Sequence, residues 1–312
     1  MIGKKGNQWK ALKKLRRFLP LYCMMIPGAI YVLINNYIPM AGLRIAFKQY
    51  NYAKGISGSP YVGFKNFEFL FKTKEAWVIT RNTLCYNAVF IVLGTTLAIT
   101  VAILLNEVKS MVMKKLFQTV ILIPFLISMV VVSYLAYAFL STDTGFINKS
   151  IVEPLGLEPV SWYSSPQYWP FILVFVHLWK GFGYNSIIYF ATLVGIDKGY
   201  FEAAAIDGAS RWQQIRHITL PCLKPTIITL TLMSIGRIFY SDFGLFYQVP
   251  MNNGLLIDVT NTIDTYVYRG LITLNNVSMA SAAGFYQSMV GFVLVLTANF
   301  VVKKLSRENA LF

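Results

Sequence analysis

Apolar residues run along this chain in six blocks, and polar residues gather between them. A helix that crosses a bilayer needs about 20 consecutive apolar residues. By that criterion spans are expected at 18–40, 82–105, 116–141, 169–194, 222–246 and 279–303. Pro20, Pro27 and Pro39 are expected to interrupt the first. Proline is tolerated in a spanning helix where neighbours re-satisfy the freed carbonyl. Ahead of that block, Trp9, Leu12, Leu15 and Leu19 recur at helical spacing among lysines and arginines. The pattern predicts residues 1–17 as a basic amphipathic segment on the inner membrane surface, a disordered basic tail being the alternative. No small-residue cleavage site follows the first block, so its helix is expected to stay in the mature protein.

Composition supports the membrane reading. The 312 residues are 56% hydrophobic and 13% charged, with a mean hydropathy of +0.54. Soluble domains carry about 25% charged residues. The net charge of +15 sits beside the apolar blocks, which points to topology and anionic lipid head groups rather than nucleic acid. The connection at 142–168 holds Lys149 against Asp143, Glu153 and Glu158, and that at 247–276 holds Arg269 against Asp258 and Asp264. Lysine and arginine gather instead at the N-terminal end, at Lys109, Lys114 and Lys115, at Lys198, Arg211, Arg216 and Lys224, and at Lys303, Lys304 and Arg307, so both termini are expected in the cytosol. Residues 41–81 oppose the rule, with Arg44, Lys48, Lys54, Lys65, Lys72, Lys74 and Arg81 in a long outer loop. Cys23, Cys85 and Cys222 are scattered and form no C-x-x-C pair, so they are expected to pack as small apolar residues.

The outer loops carry aromatic clusters. Phe64, Phe67, Phe69 and Phe71 follow a turn-rich stretch at 55–63. Trp162, Tyr163, Tyr168 and Trp169 stand where the fourth span begins. Such aromatics suit an interfacial belt, with contact to an extracellular partner as the alternative.

The most informative polar segment lies between the fourth and fifth blocks. Glu202-Ala203-Ala204-Ala205-Ile206 predicts a short helix, which Asp207-Gly208 should end. Ser210 and Gln213 fit a capping box for a second short helix, which Pro221 and Pro225 are expected to end. The result is an ordered elbow on the inner surface. Its small residues permit close approach by another protein, and an ordinary interfacial loop is the alternative.

Glu202-Ala203-Ala204-x-x-Asp207-Gly208-Ala209, followed by Ile218-x-Leu220-Pro221-x-Leu223-x-Pro225, resembles the EAA loop of binding-protein-dependent ABC importer permeases. The stretches Ile38 to Asn51, Tyr266 to Arg269, and Ala282 to Gly291 with Asn309-x-Leu311-Phe312 resemble the maltose-permease-like sugar branch and its polysaccharide or oligosaccharide subfamily. His217, before the Ile218 block, is a minor departure. The resemblance implies an all-α integral membrane protein with six transmembrane helices, the type I ABC importer permease fold, in the bacterial cytoplasmic membrane. It implies 18–312 as the permease domain, with a coupling loop at about 197–226. It also implies a second homologous permease in a heterodimer, two cytosolic ABC ATPases that bind ATP and Mg, an extracellular solute-binding protein and an oligosaccharide substrate. Glu202, Ala203, Ala204, Asp207, Gly208 and Ala209 would then couple to the ATPase.

A sugar path needs aromatic faces beside amides and carboxylates. Trp179, Tyr184 and Asn185 offer these on the fourth block, Tyr240, Asp242 and Phe243 on the fifth, and Tyr286 and Gln287 on the sixth. Each has a plain packing alternative, and Arg237 and Asp242 could instead stabilise a permease–permease seam. Lys180 could snorkel to an interface. His177 has no carboxylate at helical spacing on its own span, which favours a satisfied histidine over a proton relay. The chain contains no H-E-x-x-H, G-x-S-x-G or Walker A motif, so neither catalysis nor ATP hydrolysis by the chain itself is expected, nor a bound metal or cofactor. An ion-coupled secondary transporter, a permease for a non-sugar solute, and a scaffold remain as competing readings.

Overall fold

The computed structural model describes residues 3–305, with side chains over 18–304. The basic amphipathic face expected at 1–17 and the C-terminal Asn309-x-Leu311-Phe312 therefore lie outside the described residues. Five helices are long and apolar enough to cross a membrane, or six if one bent pair counts as a span. Among the described residues there is no sheet, only one antiparallel bridge between Lys48 and Tyr61.

Helix α1 (Gly3–Val32) contains Pro20 and Pro27 without ending at either. It continues through a π turn, Leu33–Tyr37, and a 3-10 stretch, Ile38–Phe47. The expected interruptions are thus absorbed, and the first block spans Phe18–Phe47. Residues 18–41 of it are exposed on almost every side. Helix α2 is Lys74–Glu107, starting ahead of the expected boundary at 82.

The third block departs from expectation. It is not one rod but α3 (Met111–Leu126) and α4 (Met129–Leu140), bent by 92°. Ile127 and Ser128 are extended, and the Ser128 hydroxyl accepts from the Val131 N–H to start a new helix. Serine as an N-cap makes a second start as favourable as continuing the first helix.

Helix α5 is Trp169–Val194, α6 is Lys198–Ile206, and α7 runs Arg211–Ile235. The fifth block is helical only to Ile235. It then turns through 236–243 and resumes as a π turn, Gly244–Gln248. Arg237 and Asp242 therefore do not share a helix face. Helices α8 (Ile263–Ile272) and α9 (Val277–Leu305) complete the chain.

Small residues let the helices meet closely. Ala98 and Ala102 on α2 join Tyr189, Phe190 and Leu193 on α5 in one buried cluster. Tyr86 and Phe90 join Trp169, Leu173, Leu245 and Phe246 in a second. A Cβ placed on Gly183 of α5 would lie 1.8 Å from the Ile121 carbonyl oxygen of α3, so the two backbones touch there.

The outer aromatics are structural more often than interfacial. Trp169 is fully buried, and its Nε1 donates to the Trp162 carbonyl at 2.9 Å. Tyr163 packs edge-on against it at 5.1 Å, and burial pushes the Tyr163 hydroxyl pKa up to about 12. Phe67 and Phe69 are buried, while Phe64 and Phe71 stay exposed. The three cysteines are free, but they lie on the exposed surface rather than in packed positions.

Residues 41–81 share one end of the bundle with the acidic 247–276 connection. The Tyr52 hydroxyl donates to Asn275 Oδ1 at 2.6 Å, the Tyr50 N–H to Ser278 Oγ at 2.8 Å and Asn82 Nδ2 to the Asp258 carbonyl at 3.0 Å. The elbow lies at the other end, where Arg211 Nε stands 4.0 Å from Glu107 Oε2 at the close of α2.

Gly183→Ala is expected to push α3 and α5 apart. Overpacking of this kind costs about 1–3 kcal/mol. A fall in the detergent melting temperature of the purified chain checks it, and an unchanged value would show that the contact is dispensable.

Candidate functional site

The elbow is built from backbone rules. The Gly199 N–H donates to Asp197 Oδ1 at 2.9 Å, which caps α6. The helix ends at Asp207, followed by Gly208 at φ +80°. The Gly208 N–H donates to the Ala205 carbonyl at 3.1 Å, and the Ala209 N–H to the Ala204 carbonyl at 2.9 Å. These bonds satisfy carbonyls left free at the helix end and require a left-handed residue, which glycine adopts without penalty. Ser210 then starts α7 with the capping box its spacing predicts. Gln213 Oε1 accepts from the Ser210 N–H at 2.7 Å, and Ser210 Oγ accepts from the Gln213 N–H at 3.4 Å.

Contrary to expectation, Pro221 and Pro225 do not end this second helix. A π turn at Ile215–Thr219 widens the helix just before Pro221, and α7 continues unbroken to Ile235. The proline lacks an N–H, and a widened turn accommodates the carbonyl left without a partner. The base of the elbow is anchored through buried Gln214, whose Nε2 donates to the Ala209 carbonyl at 3.3 Å. Its tip is bare. Glu202, Ala203, Asp207 and Gly208 are exposed, Ala204 and Ala209 half-buried, and Ile206 is 87% exposed.

The second feature lies inside the bundle, where α3/α4 and α7 break. The α3 end leaves carbonyls without helical partners. Lys180 Nζ, on α5, donates to the carbonyls of Pro124 at 3.3 Å, Phe125 at 3.0 Å and Ile127. It does not snorkel away, because a cation at a helix C-terminus is favoured by the partial negative charge there. The α7 break is held by amides. Asn87 Nδ2 donates to the carbonyls of Ile238 and Tyr240, both at 3.0 Å. Gln287 Nε2 donates to the Phe239 carbonyl at 2.8 Å and to Asp264 Oδ2 at 3.0 Å, and Asp264 Oδ2 also accepts from the Ser241 N–H at 2.6 Å. The two breaks touch: a Cβ on Gly244 would meet Met129 Cγ at 2.7 Å.

The sequence-predicted path residues divide between these surroundings. Tyr240 and Asp242 are exposed in the α7 break, and Asp242 Oδ1 accepts from the Leu245 N–H at 3.2 Å. Tyr286 faces Phe239 edge-on at 5.7 Å, and Gln287 is buried in the clamp just described. Phe243 packs on Tyr247 and Tyr268, at 4.8 and 4.6 Å. Tyr184 stacks on Phe125 at 4.7 Å beside exposed Asn185, on the α3 side. Trp179 lines an apolar cavity of about 680 Å³ between α4 and α5. His177 stacks flat on Phe90 at 3.7 Å. Sequence reasoning missed Asn87, Asp264 and the capping role of Lys180. An amide inside an apolar block was the available signal for Asn87, since polar groups in a span seek partners.

Known proteins resemble this chain along nearly its whole length. The model of the family described as binding-protein-dependent transport system inner membrane component matches residues 94–307. Protein LplB of Bacillus subtilis (strain 168) is 36% identical over 98% of this chain and 94% of its own. The polygalacturonan/rhamnogalacturonan transport system permease protein YteP of the same organism is 35% identical over 99% of this chain and 95% of its own. The chain belongs to this family. The crystal structure of a bacterial ABC transporter involved in the import of the acidic polysaccharide alginate contains a chain that is 33% identical, with a TM-score of 0.87 over 95% of this chain and 99% of that one. The crystal structure of a bacterial alginate ABC transporter in complex with alginate pentasaccharide-bound periplasmic protein contains a chain that matches with a TM-score of 0.85 at 33% identity, over 94% of this chain and 97% of that one. As an inner membrane transport component, this permease belongs to a group of transport subunits rather than to a family of enzymes. Its all-helical fold is that of an ABC importer permease.

Two outcomes follow for the permease. Lys180→Met leaves carbonyls of the α3 end unpaired within the membrane, at about 1–3 kcal/mol for a buried unsatisfied group; a lowered melting temperature, largely restored in Lys180→Arg, checks it. Ser210→Ala removes the α7 cap, worth about 1 kcal/mol, and faster amide hydrogen exchange confined to 209–214 is the expected readout.

Proposed function

We propose that this chain is the transmembrane permease of an ABC importer for oligosaccharides, forming half of the translocation path. The observation that carries the reading is the elbow, rigid at its base and bare at its tip. An exposed apolar residue such as Ile206, beside a turn of small residues, is the surface a docked protein covers. The partners are a second homologous permease, two cytosolic ATPases that hold ATP and Mg, and an extracellular solute-binding protein. Glu202, Ala203, Ala204, Asp207, Gly208 and Ala209 form the contact with the ATPase. The elbow end is cytosolic by the positive-inside rule, and both termini with it.

Relatives named for polygalacturonan, rhamnogalacturonan and arabinooligosaccharides support the saccharide class. The residues at the α7 break support a path. Irregular backbone at membrane depth is tolerated where it is buried in protein or lines a water-filled cavity. Tyr240, Asp242 and Tyr286 there offer aromatic and polar groups to a sugar, with Trp179, Tyr184, Asn185, Phe243 and Gln287 around them. Closure of the ATPases moves the elbow, and the elbow is continuous with α7 up to that break.

The test is a mild-detergent pull-down from native membranes together with uptake by elbow variants. Recovery of an ATPase and a second permease is expected. Gly208→Pro and Glu202→Lys are expected to insert normally but lower saccharide uptake at least about tenfold, since a proline cannot adopt the positive φ of the turn. Full uptake by both variants, or a chain recovered with no ATPase, would sink the docking role.

A further inference from the structure

Two cations stand near mid-membrane in this bundle, and only one has work within the chain. Gly291 is at the middle of the Val277–Lys304 span, and a Cβ placed on it would lie 3.7 Å from Tyr240 Cε2. A Cβ on Gly236 would lie 3.5 Å from Val295 Cγ2. Arg237 is therefore held within about a turn of mid-span. Lys180 is occupied by the carbonyls at the α3 end. The Arg237 side chain is exposed and has no hydrogen bond, ion pair or ring contact among the described residues. Neither nearby carboxylate forms an ion pair with it among the described residues: Asp264 is held by Ser241 and Gln287, and Asp242 caps the turn at Leu245.

An unpaired guanidinium at this depth is costly, and such residues face a bundle interior or a watery cavity. Snorkelling does not solve the problem, because even the nearer interface lies about 10 Å away, half the hydrocarbon thickness less one helical turn. The counter-charge must come from outside the chain. A second observation points the same way. Residues 41–81, at the outer end, carry seven cations against Glu68 and Glu75, in defiance of the positive-inside rule. Only Lys72 pairs with one of those carboxylates, Glu68, at 2.6 Å. A net positive mouth raises the local concentration of anions.

We infer that the saccharide carried by this permease bears carboxylates, and that Arg237 at the α7 break is the residue that selects for them. This rests on the importer reading given above and adds the charge of the cargo to it. A planar guanidinium pairs with a carboxylate through two parallel hydrogen bonds, whereas a neutral hydroxyl offers no charge to offset. The basic outer loop gathers the anion, and Arg237 reads it at the constriction between the broken helices.

The experiment uses the native strain with the variant placed on the chromosome, so that every partner is present. The probes are radiolabelled trigalacturonate and trimannuronate, and the carboxyl-reduced neutral trisaccharide of each. Wild type is expected to take up at least one acidic probe in preference to its reduced form. Arg237→Gln is expected to lower that acidic-to-neutral ratio roughly ten- to a hundredfold, the loss of one charge-assisted bidentate pair. Arg237→Lys keeps the charge but not the planar fork, and is expected to restore only part of it. Wild-type preference for the neutral probes overturns the inference and leaves the importer reading intact. An unchanged ratio in Arg237→Gln overturns the role of the arginine. Loss of the second permease from the Arg237→Gln pull-down, with the ratio unchanged, places the counter-charge in the seam between permeases and overturns it too. If wild type takes up none of the four probes but the ATPase still co-purifies, the carboxylate inference falls alone. If the ATPase is absent as well, the importer reading falls with it.

Discussion

Every free backbone carbonyl and N–H in hydrocarbon must find a partner, and this fold is organised around two places where helices stop short of that condition. An uninterrupted helix satisfies its own groups. Here α3 ends within the membrane and α7 ends near mid-span, so side chains from other helices must complete the bonding. Lys180 does so for the first break, and Asn87 with Gln287 for the second. The packing follows from these obligations. Helix α5 must lie against α3 for the ammonium to reach, and Gly183 one turn further on lets the backbones come that close. Helix α9 must lie against the α7 break for Gln287 to donate to Phe239.

The two breaks are held by different chemistry. The first is met by a single charge facing the negative end of a helix dipole. The second is met by neutral amides and by Asp264, whose Oδ2 accepts from the Ser241 N–H and hydroxyl and from the Gln287 amide. Arg237 stands near these carboxylates without an ion pair to either among the described residues.

Much of this was legible in the sequence, and the exceptions have physical reasons. Hydropathy located every apolar block, because spanning length is set by bilayer thickness and not by tertiary context. The turn and cap of the elbow were readable, since Gly208 at positive φ and the Ser210–Gln213 box follow local rules, whereas Pro221 and Pro225 do not end the helix that follows. The breaks were not readable. A broken span and an intact one have the same composition, and Ser128 or Gly236 inside an apolar run is compatible with either. What decides is whether a lysine or an amide more than fifty residues away arrives to satisfy the exposed carbonyls. Trp169 misled for a related reason. A tryptophan at the start of a span suits a membrane interface, but a loop that folds back over it turns the same ring into core.

The first span makes almost no contact with the rest of its own chain before residue 42. Helix association in membranes comes from packing rather than from a hydrophobic drive between helices, so this helix adds little to the stability of the isolated subunit. Whatever it packs on lies in another molecule or in lipid. In the importer proposed above, binding of the partner subunit would cover this helix and stabilise the chain by mass action. Under that proposal, matched synthesis of the two chains would protect twenty-odd residues that no neighbour in the same polypeptide covers.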